Sequence, residues 1–327
     1  MKPLTRPSRQ RGVAVITALL LTALAITVVA SLFWQQQVQV RSMENQRLRL
    51  QTQWAMRGMV DFARFWLRQD NPSLTALDGV WATPIEEARL DDYVDREKVD
   101  TEKFDATVSG RALDAQARFN ITNLVAATGD VNPKQVQAYQ RLLSNLQLDS
   151  GLAQATADAV LRAKPKPRAA SSGTSGDGKT PAATPASGGS SEPVAFTQVE
   201  DLLAVPGYTP QMIEQLRDFV IILPELTAVN VNTAPAEVLA AITTMSLSEA
   251  SALTLSNPRK KFVDLPNFKN NINDKQVIDG VDADVKSRYF LTVIRVRLDR
   301  AALDAVALVN RKTDPQRTTS LVWLREN

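Results

Sequence analysis

The hydrophobic residues of this chain follow two patterns, and the switch between them falls near residue 35. Residues 13–34, Val-Ala-Val-Ile-Thr-Ala-Leu-Leu-Leu-Thr-Ala-Leu-Ala-Ile-Thr-Val-Val-Ala-Ser-Leu-Phe-Trp, are apolar all round and carry no charge. At 1.5 Å per residue such a helix covers the roughly 30 Å hydrocarbon core of a bilayer, which predicts a transmembrane segment. After Gln35-Gln36-Gln37 the apolar positions become periodic. Leu48, Thr52, Ala55, Met59, Phe62 and Trp66 recur three and four apart, one face of a helix, while Arg47, Arg49, Arg57 and Arg64 fall on other faces. One glycine, Gly58, and no proline interrupts residues 35–70, and Asn71-Pro72-Ser73 ends the run. The expectation is one continuous helix, lipid-facing over 13–34 and amphipathic over 35–70.

Farther on, the period changes twice. Helix starts dominate residues 117–284. Asn132-Pro133 supplies a cap and a first-turn proline ahead of Val136, Tyr139, Leu142, Leu143 and Leu146. Thr197 with Glu200 reads as a capping box, Thr209-Pro210 opens another helix, Asn232-Thr233-Ala234-Pro235 precedes Val238, Leu239 and Ile242, and Ser246 with Glu249 forms a second box. On either side the alternation is that of strands: weak over 106–112, strong over 290–298, and repeated at hairpin spacing over 302–309 and 320–324. This predicts an α+β chain: a head of residues 71–116 and 285–327 whose antiparallel sheet is split by an all-α domain, 117–284. Three successive domains are the alternative. Residues 164–193, rich in Pro, Gly and Ser without apolar periodicity, read as a disordered loop within the insert or as an interdomain linker.

Charge bears mainly on the N-terminus. Lys2, Arg6, Arg9 and Arg11 precede the apolar run with no acidic residue among them, which places the N-terminus in the cytoplasm and the rest outside. They account for the net charge of +3; beyond Gly12 acidic residues outnumber basic ones by one, so no general nucleic-acid footprint remains. Three readings of this end compete. For a cleaved secretory signal the apolar run is too long and Val28-Val29-Ala30 is a poor site. A plain uncleaved anchor is the second. The third is a prepilin-type signal, cut on the cytoplasmic side where a glycine abuts the apolar helix. Arg11-Gly12-Val13 fits it, with 1–12 as leader and Val13 as the mature first residue.

The chain has no cysteine and no histidine, which excludes disulfides, Cys/His zinc sites and Ser-His-Asp triads, and leaves only carboxylate or lysine chemistry to an anchored enzyme. The segment Val199–Tyr208 looks like the first helix and turn of a helix-hairpin-helix, a device that grips DNA phosphates. Phosphate binding needs cations, yet Glu200, Asp201, Glu214 and Asp218 surround Arg217 alone, so a structural hairpin is preferred. Asp274, Asp279, Asp282 and Asp284 lie among asparagines in a loop-like stretch, a donor type suited to calcium but without EF-hand spacing. Asp91, Asp92 and Asp95 read as surface.

Taken together, Arg11-Gly12-Val13-Ala14-Val15-Ile16-Thr17, Arg118-Phe119-Asn120-Ile121-Thr122-Asn123-Leu124, the hairpin at 197–216 and Val229-Asn230-Val231-Asn232-Thr233-Ala234-Pro235-Ala236-Glu237-Val238-Leu239 resemble the type II secretion minor pseudopilins of the K class. The resemblance implies the pseudopilin fold, a long N-terminal helix on a small antiparallel sheet, with a large α-domain inserted. It implies a non-enzymatic subunit at the pseudopilus tip that nucleates assembly and helps move folded exoproteins across the outer membrane. Implied partners are the minor pseudopilins of classes I, J and H, the prepilin peptidase that cuts after Gly12 and methylates Val13, and inner-membrane lipid, with the head in the periplasm. It also implies calcium in the α-domain. Most pilins carry Glu five residues into the mature chain, where it neutralises the N-terminal ammonium of the subunit ahead; Thr17 stands there instead. A subunit with nothing ahead needs no such charge. The rival class is an inner-membrane-anchored helix-hairpin-helix protein of a DNA-uptake system.

Overall fold

Helix α1 (Arg11–Gln69) is a single continuous rod of 59 residues. At 1.5 Å per residue it is about 90 Å long, far more than a compact head needs. The computed structural model describes residues 11–89, 106–164, 195–256, 259–272, 275–312 and 317–326. Behind α1, Ser73 N donates to Asn71 Oδ1 at 3.0 Å, a local turn that closes the helix end. The buried seam of α1 is Thr52, Met56, Met59, Val60 and Leu67, so it is turned about one residue from the sequence expectation. Leu48, Ala55, Phe62 and Trp66 are only half-buried at its border, and Arg64, expected on a free face, instead donates to Thr319 O at 2.8 Å.

Strands β1 (Ile85–Arg89) and β2 (Ala106–Asp114) follow. Then come β3 (Phe119–Asn120), α2 (Pro133–Asn145), α3 (Leu152–Ala163), α4 (Pro210–Leu216), β4 (Val220–Ile221) and β5 (Val229–Asn230). Next are α5 (Ala236–Ile242), α6 (Leu247–Thr254), α7 (Leu265–Asn271) and β6 (Ala283–Asp284), and finally β7 (Tyr289–Leu298), β8 (Ala301–Arg311) and β9 (Thr319–Glu326). The main sheet has the order β1-β2-β7-β8-β9, antiparallel throughout. Two small parallel pairs, β3–β4 and β5–β6, lie within the helical region.

The topology shows why so large an excursion is tolerated. Asp114 at the end of β2 pairs with Phe290 at the start of β7, so the chain leaves and re-enters the sheet at adjacent positions. Residues 115–288 thus hang where a hairpin turn would otherwise suffice, and no sheet pairing is lost. Their core, from Phe119, Leu124, Tyr139, Leu142, Leu202, Leu216, Val238, Leu239, Phe262 and Phe268 among others, is drawn from 119–285, with Leu74 packed at its border from outside. The head has its own core, in which Met56, Met59 and Val60 of α1 meet Val108, Ile294, Val296, Ala305 and Ala307. The opposite sheet face is covered at one end by the insert, where Ile221 and Leu223 meet Ala115, Tyr289 and Leu308.

The caps are mostly where the sequence places them. Asn132 Oδ1 accepts from Lys134 N at 3.1 Å, Thr209 Oγ1 from Met212 N at 3.3 Å, and Ser246 N donates to Glu249 Oε2 at 2.7 Å. The box assigned to Thr197 and Glu200 is corrected. The carboxylate that takes Thr197 N (2.7 Å) and Gln198 N (3.0 Å) belongs to Asp201, and the segment Val199–Ala204 is a 3-10 turn. Glu200 is drawn away to Arg217, at 3.0 Å.

Candidate assembly interface

The first candidate region is the N-terminal half of α1. Gly12 and Val13 lie in its first turn. From Ala14 the apolar stretch is long and greasy enough to cross a membrane, and none of its hydropathic window is covered by the rest of the protein. Leu19, Leu20, Leu21, Ile26 and Phe33 are each 59 % exposed or more. A surface of that kind requires lipid or neighbouring helices around it. Thr17 Oγ1 donates to Ala14 O at 3.0 Å, and Thr22 and Thr27 do the same three residues back, at 2.9 and 2.8 Å. Each hydroxyl is therefore satisfied within the helix, and Thr17 brings neither charge nor an unmet hydrogen bond to this apolar surface.

The head grips α1 only beyond this stretch. Arg300, in the β7–β8 turn, reaches Glu44 and Asn45, both at 3.2 Å, and this turn lies nearest the apolar end. At the other end of the sheet Asp70, just past α1, binds the buried Arg311 of β8 at 2.9 Å. The insert is attached at that second end, where Asp114 and Phe290 pair. It is thus mounted distal to the membrane-like segment.

That attachment is polar and buried. Asp114 Oδ2 accepts from Asn230 Nδ2 (2.8 Å), Thr233 Oγ1 (2.7 Å) and Ser287 Oγ (2.6 Å), and Oδ1 accepts from Gln116 N (2.8 Å). Burial pushes this carboxyl above its ordinary range, against the pull of those donors. Gln116 Oε1 accepts from Arg288 N at 2.6 Å, and Arg311 adds Thr75 Oγ1 (2.8 Å), Ser287 O (3.0 Å) and the face of Phe290 at 4.7 Å. Asn230 also reaches Thr75 O at 3.0 Å, so one side chain ties the insert, the sheet and the segment after α1 together.

The Asn-rich strings that carry the sequence resemblance are therefore latches and not ligand sites. Asn232 pairs with the backbone of Phe262 through both its amide groups, at 2.9 and 2.8 Å. Asn123 does the same with Thr227, at 2.7 and 3.1 Å. Asn120 holds Glu225 O at 2.8 Å while accepting from Leu223 N at 3.1 Å. Such pairs close loops that have no ladder of their own. The partners of these amides, about a hundred residues away for Asn120 and Asn123, were not legible in the sequence.

The hairpin at 197–216 offers no phosphate grip. Gly207 has φ +106°, and a Cβ there would meet Leu152 Cδ2 of α3 at 2.6 Å, so its backbone faces this chain's own helix. Arg217 is engaged by Glu200 and by Glu214, at 3.4 Å. Of the aspartates considered for calcium, Asp274 lies outside the described residues, Asp279 and Asp282 are exposed, and the half-buried Asp284 accepts from Val285 N at 2.7 Å. Among the described residues no three His, Cys, Asp or Glu side chains converge as a metal would need. Asp91, Asp92 and Asp95 lie outside the described residues, as does the Pro/Gly/Ser-rich stretch after Lys164.

A long apolar N-terminal helix laid across an antiparallel sheet is the pseudopilin arrangement, and here it carries a helical insert at its distal end. Family models described as type II secretion system protein K match residues 117–225 and 229–286, together more than half of the chain. The chain belongs to that family of type II secretion components. A curated relative, type II secretion system protein K of Pseudomonas aeruginosa, is 27% identical over 318 residues, 93% of this chain and 90% of that protein. Among solved structures the fold matches a chain of the GspK-GspI-GspJ complex from enterotoxigenic Escherichia coli at a TM-score of 0.64 and 18% identity, over 87% of this chain and 99% of the other.

Proposed function

We propose that this chain is the subunit that caps the type II secretion pseudopilus, nucleating it and helping folded exoproteins cross the outer membrane. The observation that carries the reading is the placement of residues 115–288 at the end of the sheet away from the apolar helix, above Asp70. Subunits stacked through their N-terminal helices leave little lateral room for an extra domain of this size, whereas a terminal position leaves room beyond it. Thr17, uncharged and satisfied by Ala14 O, suits a subunit with no N-terminal ammonium ahead of it to neutralise. The partners on this reading are pseudopilins of classes I and J, with H below. The solved complex that shares this fold contains those first two beside its own K subunit. We read the role as assembly rather than catalysis, in keeping with a sequence that has no histidine and no cysteine.

The start of this path is the inner membrane, with the head periplasmic. The prepilin peptidase cuts between Gly12 and Val13 and methylates Val13, which follows from glycine standing against the apolar run. Mass spectrometry of the membrane-extracted protein tests this: Val13 as N-methylated first residue is expected, and an intact Met1 or a cut near Ala30 overturns it. Calcium belongs to the proposal through the family resemblance alone. Full-length protein should melt higher with calcium than with chelator, and superimposable curves would remove the ion from the scheme. The tip position is tested by labelling assembled pseudopili at this subunit. Label at one end per filament is expected; label repeating along the shaft excludes a cap.

A further inference from the structure

The two edges of the main sheet differ in a way that neither anchoring nor insertion explains. Edge β1 is short, Ile-Glu-Glu-Ala-Arg, with a register irregularity between Ile85 and Ala88 and charges at Glu86, Glu87 and Arg89. These are the usual means of preventing a strand from pairing further. Edge β9 spans eight residues, and Thr319-Ser320-Leu321-Val322-Trp323-Leu324 contains no charge, proline or glycine. Leu321 is 42 % exposed and Val322 39 %, a bulge falls opposite Leu308 and Val309, and among the described residues no further strand pairs with this edge. A β-prone, uncharged edge of this length is an aggregation hazard if left bare.

Its surroundings point to what covers it. At the Thr319 end, Arg64 of α1 already occupies the Thr319 carbonyl, which limits where a pairing strand can begin. Toward the other end Arg325 lies 4.1 Å over the Trp323 ring and donates to Thr197 O of the insert. The cleft between β9 and the insert holds Arg118, Arg217 and Arg325; Arg118 lies 4.0 Å from Asp218 and Arg217 pairs with Glu200 and Glu214, which leaves Arg325 as the cleft's arginine with no acidic partner among the described residues. An incoming strand would thus find aliphatic surface at Leu321 and Val322 and positive charge at Arg325.

We propose that β9 is a strand-addition site: an extended segment of another pseudopilin head pairs with its free edge, placing an aliphatic residue beside Val322 and a carboxylate beside Arg325. Backbone hydrogen bonds supply affinity in this mode, and alternate side chains supply selectivity. The proposal rests on the tip reading for the identity of the partner. In that complex the head-to-head contact is an extended sheet, additional to packing between N-terminal helices.

The test uses the full-length chain in detergent micelles, alone and mixed with class I and class J pseudopilins. Hydrogen exchange at the β9 amides that do not face β8 should slow by about tenfold or more in the complex, as several newly paired amides require. Val322→Lys should weaken assembly roughly tenfold with an unchanged melting curve, while Val322→Thr, which keeps the β-branch, should assemble normally. A complex that forms with β9 exchange unchanged and tolerates Val322→Lys overturns strand addition and leaves the tip reading standing. Protection of β9 in the chain alone, rising with concentration, would assign the edge to a second copy and overturn the heterologous pairing. If wild-type protein assembles with neither partner, the tip reading fails and this proposal with it. Should the lysine variant misfold, the exchange measurement on wild type still decides.

Discussion

Asp114 is a carboxylate whose partners are all donors, in a place water does not reach. Asp114→Ala would leave Asn230 Nδ2, Thr233 Oγ1 and Ser287 Oγ without their shared acceptor. At about 1–3 kcal/mol for each buried polar group left unmet, partly relieved by rearrangement, the loss should be about 3 kcal/mol, read from denaturant unfolding. Its pH dependence has a definite sign. The folded pKa is raised above the ordinary 3.8, so the stabilisation it offers is full below that value and is lost as pH rises through the folded pKa. Wild type should therefore lose stability relative to Asp114→Asn as pH rises from about 4. A difference that stays flat with pH would show the donors balancing burial, and one that moves in wild type's favour as pH rises would show them outweighing it. Asp70 works by charge instead. Asp70→Ala strands the buried Arg311 guanidinium and should cost about 3–5 kcal/mol, measured the same way. Neither residue stood out in the sequence, because a buried acid and a surface acid are written with the same letter; only the path of the chain brings Asp114 to Asn230 and Asp70 to Arg311.

Among the elements, glycine separates local propensity from packing. Gly58 sits in the exposed interior of α1 with nothing within 4 Å of where a Cβ would be. Gly58→Ala should raise stability by about 0.5–1 kcal/mol, since glycine wastes backbone entropy in a helix. Gly207→Ala should act oppositely and lose about 1–3 kcal/mol, because its φ of +106° is strained for any other residue and Leu152 blocks the Cβ. Thermal melts of the two variants side by side check the sign of each. α1 and the strands β7 and β8 were legible because each carries its own period over eight residues or more, and β9 because a short apolar run follows at hairpin spacing. β1 was not, since Ile-Glu-Glu-Ala-Arg lacks alternation and becomes a strand only through pairing with β2. The two-residue pairs β3–β4 and β5–β6 were too short to carry a period at all. The buried seam of α1 came out one residue away from the expected one, because Met56, Val60 and Leu67 follow the sheet's surface rather than the best-aligned apolar row.

At the scale of the whole molecule, two cores share one chain. The insert's core is drawn almost entirely from 119–285, and the head's from α1 and the sheet. An excised segment of residues 117–286 should therefore fold alone with a cooperative melt, at lower stability than in the full chain because Asp114 is missing from it. A molten species lacking near-ultraviolet circular dichroism would show that the head is needed to complete it.

By itself the sequence determined the local properties: a membrane-length apolar helix, its amphipathic continuation, the capped helices, and a strand pattern broken by a helical stretch. These follow from periods, caps and charges that act within a few residues, and local physics reads them directly. The tertiary structure alone decided which carboxylates are buried and paired and which asparagines close which loops. It also decided that the insert stands at the sheet end remote from the apolar helix and that β9 ends the sheet with no further strand on it among the described residues. Those depend on contacts between residues about a hundred or more positions apart, as between Asp70 and Arg311. No short-range pattern encodes such pairs, because their energy comes from burial that exists only once the sheet and both cores have formed.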